Sequence, residues 1–150
     1  MTKGEKAKAL FLEGYNCAQA VFGAFCEDFS LDFDTAMMLS SGFGGGIGRL
    51  REVCGAVSGM VMVLDMKYGY TSPTDNDAKM LHYKRVQDIT GRFSQENGSI
   101  ICRELLGLSE KKSEPVPEVR TNEYYKKRPC KELVEMAADI VDAYMKELEQ

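Results

Sequence analysis

The chain has 150 residues, a formal net charge of −4, and 44% hydrophobic against 28% charged residues. This balance supports a single globular domain over 1–150 and excludes a disordered chain. The basic residues are interleaved with acids and build no basic face, so nucleic acid is not an expected partner. The longest apolar run, over 53–64, is interrupted by Gly55, Ser58 and Gly59. It is too short to span a bilayer, and the start Met1-Thr2-Lys3-Gly4-Glu5-Lys6 has no apolar signal core. No membrane insertion is expected, and the compartment read from these features is the cytoplasm of a bacterial-type cell, where thiols stay reduced.

Helical periodicity runs through the chain. Ala7, Leu10, Phe11 and Gly14 share a face of a first helix, opposite Lys3, Lys6 and Glu13. A second helix follows the cap residue Asn16 and carries Ala18, Val21, Phe22 and Phe25, and a third starts near Asp32 and stops at Gly42. The cluster Gly42-Phe43-Gly44-Gly45-Gly46-Ile47-Gly48 reads as a loop. A nearly all-apolar helix over 50–68 comes next and belongs at the centre of a bundle.

Ser72-Pro73-Thr74-Asp75 reads as the start of a helix whose apolar stripe holds Ala78, His82, Val86, Ile89 and Phe93. Ser99 caps a short helix over 100–106, closed by Gly107. Residues 109–121, with Pro115 and Pro117, form an exposed connector, and a last helix starts near Pro129 with Leu133, Ala137, Ile140 and Tyr144 inward. With no β alternation, the fold class is all-α: a single-domain irregular helical bundle with a glycine-rich loop before a central apolar helix.

Five cysteines are the chemical signal. No Cys-x-x-Cys is present, so Cys17, Cys54, Cys102 and Cys130 can meet only through tertiary folding. All four fall at or near an expected helix start, where unpaired N–H groups and the helix dipole stabilise a thiolate. Arg49 and Arg51 near Cys54, and Lys127 and Arg128 near Cys130, act in the same direction. Four helix starts converging on one point would make an electropositive pocket suited to thiolates or an anionic cluster. Cys26, late in its helix beside Phe25 and Phe29, reads as a packing residue.

The glycine loop lacks the Gly-Lys-Ser/Thr ending of a phosphate-binding loop, so it is read as a segment of close approach over a helix start or a cofactor. Gly44, Gly45, Gly46, Gly48, Gly55 and Gly59 are its candidate contact points. His82, the one histidine, reads as a core residue with its polar atoms satisfied.

Gly44-Gly45-Gly46-Ile47-Gly48-Arg49 and Cys54-Gly55-Ala56-Val57-Ser58-Gly59, with Asn16-Cys17-Ala18-Gln19 before them and Cys102 and Pro129-Cys130 after, resemble the redox-active proteins named for the pattern C_GCAxxG_C_C. The chain departs from that pattern at one point: Val53 precedes Cys54, and glycine follows it. The resemblance implies a redox role for Cys17, Cys54, Cys102 and Cys130 and leaves Cys26 outside the pattern.

Three functions compete. The first is a thiol–disulfide or electron-transfer protein, an oxidoreductase working with a redox partner, in which Cys54 is the reactive thiolate and another of the four cysteines resolves it. The second is a protein in which the same four cysteines ligate zinc or an iron–sulfur cluster. The third is a non-catalytic helical interaction module, and the apolar excess over 53–64 allows a homodimer.

Overall fold

The computed structural model describes residues 1–150. Short polar side chains set most of the helix starts. Thr2 Oγ1 accepts from the Glu5 amide at 3.0 Å and opens α1 (Lys3–Leu12). Asn16 and Gln19 form a reciprocal capping box, at 2.9 and 3.0 Å, that opens α2 (Cys17–Gly23). Asp32 caps α3 (Phe33–Ser40) through the Thr35 amide. Beyond these lie α4 (Gly55–Tyr68), α5 (Asn76–Asn97), α6 (Cys102–Leu105), α7 (Asn122–Lys127) and α8 (Cys130–Leu148). The architecture is the all-α bundle that the periodicity predicts, and no β-strand is present.

α4 is the inner helix, packed on α2, α5 and α8, while α1 lies along α2 and α8. Phe11, Phe22, Phe25, Met60, Leu64 and Phe93 are fully buried where these helices meet. Each such side chain stabilises the fold by about 1.5–3 kcal/mol relative to exposure. α8 buries Leu133, Val134, Ala137, Ala138, Val141, Tyr144 and Met145, the three- and four-residue spacing of one helical face. Ile140, expected inward, is only half-buried.

Four boundaries differ from the sequence expectation. The central helix starts at Gly55 rather than near residue 50, because residues 51–54 are non-helical, with Arg51 in a left-handed conformation, and pair with 100–103. The Cys54 amide donates to the Ile100 carbonyl at 2.8 Å, and the Cys102 amide to that of Glu52 at 2.6 Å. The same pairing delays α6 to Cys102, with Ser99 Oγ accepting from the Ile101 amide just before it. α5 is capped by Asp75, through the Ala78 amide at 3.0 Å, so Pro73 lies outside the helix. α2 ends at Gly23, and Phe25 packs into the core just ahead of a 3₁₀ turn at Cys26–Phe29.

The glycine cluster is a left-handed turn. Gly45, Gly46, Ile47, Gly48 and Arg49 in succession have φ between 54° and 70°. For Ile47 and Arg49 this costs roughly 1–2 kcal/mol each. The turn is closed by amide bonds from Gly48 to the Gly42 carbonyl at 2.9 Å and from Arg51 to that of Gly45 at 3.1 Å, with Glu52 bonding Gly46 at 2.9 Å.

A four-cysteine pocket walled by arginines

Each of the four cysteines sits at a helix start. Cys17, Cys102 and Cys130 are the first residues of α2, α6 and α8, and Cys54 is the cap residue of α4. All four line one pocket of about 400 Å³. The glycine turn makes this convergence sterically possible. A Cβ on Gly46 would lie 2.7 Å from the Cβ of Cys102, and one on Gly55 would lie 3.1 Å from that of Cys17. Gly44, Gly45, Gly46, Gly48 and Gly55 line the pocket. Gly59 does not: it lies one turn along α4, where its missing side chain admits Val21 of α2.

Four of the chain's seven arginines, Arg49, Arg51, Arg120 and Arg128, line the same pocket, and no lysine does. Arg51 is buried, with Nε donating to Ser113 Oγ at 2.9 Å and Nη1 to the sulfur of Cys102 at 3.6 Å. Arg49 Nε donates to the Glu114 carbonyl at 2.6 Å. Arg120 donates to the carbonyls of Phe11 and Tyr15, and its guanidinium stacks 4.2 Å over the Phe11 ring. Arg128 Nη2 donates to Glu118 Oε1 at 2.6 Å.

Segment 109–121 is an exposed connector, as expected, and it also straps across the pocket, supplying Pro115, Pro117, Glu118 and Arg120 to its wall. Sequence reading found Arg49, Arg51 and Arg128 through their proximity to cysteines. It missed Arg120, Glu118 and Tyr124, which reach the pocket from afar, and the helix α7 that carries Tyr124. Lys127, grouped with Arg128 in the sequence, is exposed and lies outside the pocket.

The thiols are not equivalent. Cys130 is held below the ordinary thiol value by a hydrogen bond from Cys17, against the cost of burial, with further help from Arg128, Arg51 and Arg120. Cys17 is pushed well above that value by the same hydrogen bond and by burial. Placement at the first turn of a 19-residue helix adds to the preference for charge on Cys130. Burial pushes Cys54 up to about 12, although the amides of Ala56 and Val57 oppose it. Burial also raises Cys102 despite its bond from Arg51. Charge is thus favoured on Cys130 over Cys54, because at Cys130 the hydrogen bond from Cys17, helped by three arginines, outweighs burial, whereas at Cys54 burial outweighs the helix-start amides.

As ligands, the same residues fit less well. No three Cys, His, Asp or Glu side chains are gathered in metal-holding geometry. Cys102 faces a guanidinium, and Cys17 faces Cys130.

Cys26 is buried in the apolar core away from the pocket. His82 also lies elsewhere, buried on α5, with Nε2 2.6 Å from Asp65 Oδ1 of α4. Its Nδ1 has no partner, so it is less fully satisfied than its apolar stripe implies.

Fold and pocket together define an all-α protein built round a cluster of thiols at helix starts. The chain belongs to the C_GCAxxG_C_C family: the family model described as "Putative redox-active protein (C_GCAxxG_C_C)" matches residues 15–144. An uncharacterized protein of Archaeoglobus fulgidus is 26% identical to it over 161 residues, covering 98% of each chain. No solved structure matches the chain. No helix is long and apolar enough to cross a membrane.

Proposed function

We propose that the protein is a thiol–disulfide oxidoreductase whose working pair is Cys130 and Cys17. The observation that carries this reading is that Cys17 and Cys130, each the first residue of its helix, line the same arginine-walled pocket, where their mutual interaction favours the charge on Cys130. Thiol exchange needs a thiolate and a second sulfur within reach, and this pair supplies both.

In the oxidising half-reaction, the Cys130 thiolate attacks one sulfur of a partner disulfide, RSSR. A mixed Cys130–SR disulfide forms and RS⁻ leaves. Cys17 then loses its proton and attacks the Cys130 sulfur, and the second R-thiol leaves as RSH. The products are a Cys17–Cys130 disulfide, RS⁻ and RSH, with two electrons passed to the partner. A dithiol reductant reverses the exchange. The pocket also keeps Cys54 and Cys102 protonated at neutral pH, which leaves Cys130 as the attacking sulfur.

The test is to treat the reduced protein with one equivalent of a small disulfide and map the linkage by peptide mass spectrometry. A Cys17–Cys130 bridge is expected, abolished by Cys17→Ser with the mixed disulfide left on Cys130. Oxidation confined to Cys54, or stoichiometric zinc or iron on protein purified without oxygen, would overturn the reading.

A further inference from the structure

The pocket carries a charge imbalance that thiol exchange alone does not require. Its charged lining residues are four arginines and a single acid, Glu118, in a chain whose net charge is −4. One carboxylate oxygen, Oε1 of Glu118, faces three of the guanidiniums. Arg128 bonds it at 2.6 Å, while the Nη2 atoms of Arg49 and Arg51 both stand at 3.7 Å from it, too far to donate. Two cations are therefore aimed at an acceptor position that they do not reach. The side chain of Arg51 is only 6% exposed, so an anionic group in the pocket would meet a guanidinium largely withdrawn from water. Planar guanidiniums presenting paired donors are suited to carboxylates and tetrahedral oxyanions.

Glu118 itself belongs to the strap, between Pro117 and Val119, and its side chain is 37% exposed. Its carboxylate enters the arginine cluster from the solvent side. The cavity of about 400 Å³ suits a small molecule, and its wall includes all four thiols.

We infer that the pocket selects small anionic disulfides, and that a carboxylate or oxyanion of the substrate takes up the guanidinium donors that Glu118 engages only in part, as its disulfide meets the thiols on the same wall. This inference rests on the thiol–disulfide reading for its chemistry. The arginines supply binding to the anionic group, and Cys130 supplies the attack. Glu118 acts as an internal stand-in that keeps the cationic wall together when no substrate is present and gives way to a better acceptor.

Two aromatic disulfides separate the charge from the chemistry: dithiobis-nitrobenzoate, which carries carboxylates, and neutral dithiodipyridine. Their rates with the reduced full-length protein are compared with their rates with a free small thiol. The protein is expected to favour the carboxylate probe by about tenfold or more over the free-thiol ratio, in line with focusing of an anion by a cationic cleft. The advantage should shrink with added salt. Glu118→Gln should enlarge it, and Arg49→Gln, which removes a cation that is not among those holding Cys130 down, should reduce it. Low-millimolar sulfate, against chloride of matched ionic strength, should slow the carboxylate probe and leave the neutral one unchanged.

A carboxylate-to-neutral ratio equal to that of the free thiol, unmoved by Glu118→Gln and by sulfate, would overturn anion selection. If a Cys17–Cys130 bridge still forms in that case, the redox reading survives its loss. Conversely, saturable protection of the fold by low-millimolar sulfate, lost in Arg49→Gln, would uphold the anion site even if the thiols proved unreactive.

Discussion

Arg51 Nη1 donates to the Cys102 sulfur at 3.6 Å while Nε of the same guanidinium holds Ser113 Oγ at 2.9 Å. One buried side chain thus ties the end of the glycine turn to the start of α6 and to the strap over the pocket. It does so from a backbone with φ of 61°, a conformation that non-glycine residues adopt at a cost. Arg51→Met should remove both bonds and a cation that lowers Cys130. A loss of about 2–3 kcal/mol in urea unfolding is expected, together with an upward move of the Cys130 titration followed by thiolate absorbance. Arg51→Lys should restore some of the titration but little of the stability, because an ammonium cannot span both partners.

The hydrogen bond from Cys17 is the largest influence holding Cys130 down. Cys17→Ala should therefore raise the pH at which Cys130 becomes reactive, as read from the pH profile of alkylation by iodoacetamide. In the intact protein that midpoint should lie below the ordinary thiol value. A profile unchanged by Cys17→Ala would mean that the arginines alone set it.

Stability should fall in alkali, and the sign follows from Cys54. Its folded value is about 12, against about 8.5 in an unfolded chain. Between those limits the native thiol keeps a proton that the unfolded one has lost, so unfolding is favoured progressively as pH rises through this window. Burial of Tyr124, also pushed up to about 12, steepens the decline above about pH 10. Cys54→Ala should flatten the lower part of the slope of urea-unfolding stability against pH. Cys130 works in the opposite sense: its contribution is present above its unfolded value and is lost as pH falls through its depressed folded value.

The glycine turn makes a paired prediction. At Gly46, φ is 70°, and a Cβ would lie 2.7 Å from both the Cys102 Cβ and the Glu52 amide nitrogen. At Gly48, φ is 54°, but nothing lies within 4 Å. Gly48→Ala should cost about 1–2 kcal/mol from the backbone conformation alone. Gly46→Ala should cost clearly more and should slow formation of the Cys17–Cys130 disulfide, since relief of the clash pushes the turn out of the pocket. Equal losses in thermal unfolding would show that the close approach to Cys102 contributes nothing.

The helices, and the position of the cysteines within them, were legible from local chemistry. Asn16 and Asp32 are short polar residues that accept from amides three residues on, and the apolar face of α8 repeats at the helical period. These are interactions among near neighbours, so the order of residues along the chain determines them. It also determined that Cys17 and Cys130 open their helices.

The start of the central helix was not legible in this way. Residues 51–54 carry side chains compatible with a helix, but their amides and carbonyls pair with 100–103, a partner that only the folded chain brings near. The acid–base ranking of the thiols was equally hidden. Cys54 and Cys130 have similar local settings, each beside a basic residue and a helix start. Burial raises the first, while a hydrogen bond from Cys17 and three arginines outweigh burial at the second. Arg120 and Glu118 reach the pocket because the strap folds back over it, and no periodicity in 109–121 records that path. Local hydrogen bonds and side-chain pattern settle where helices form; desolvation and charge depend on which distant groups share a cavity, and that was decided only when the chain closed.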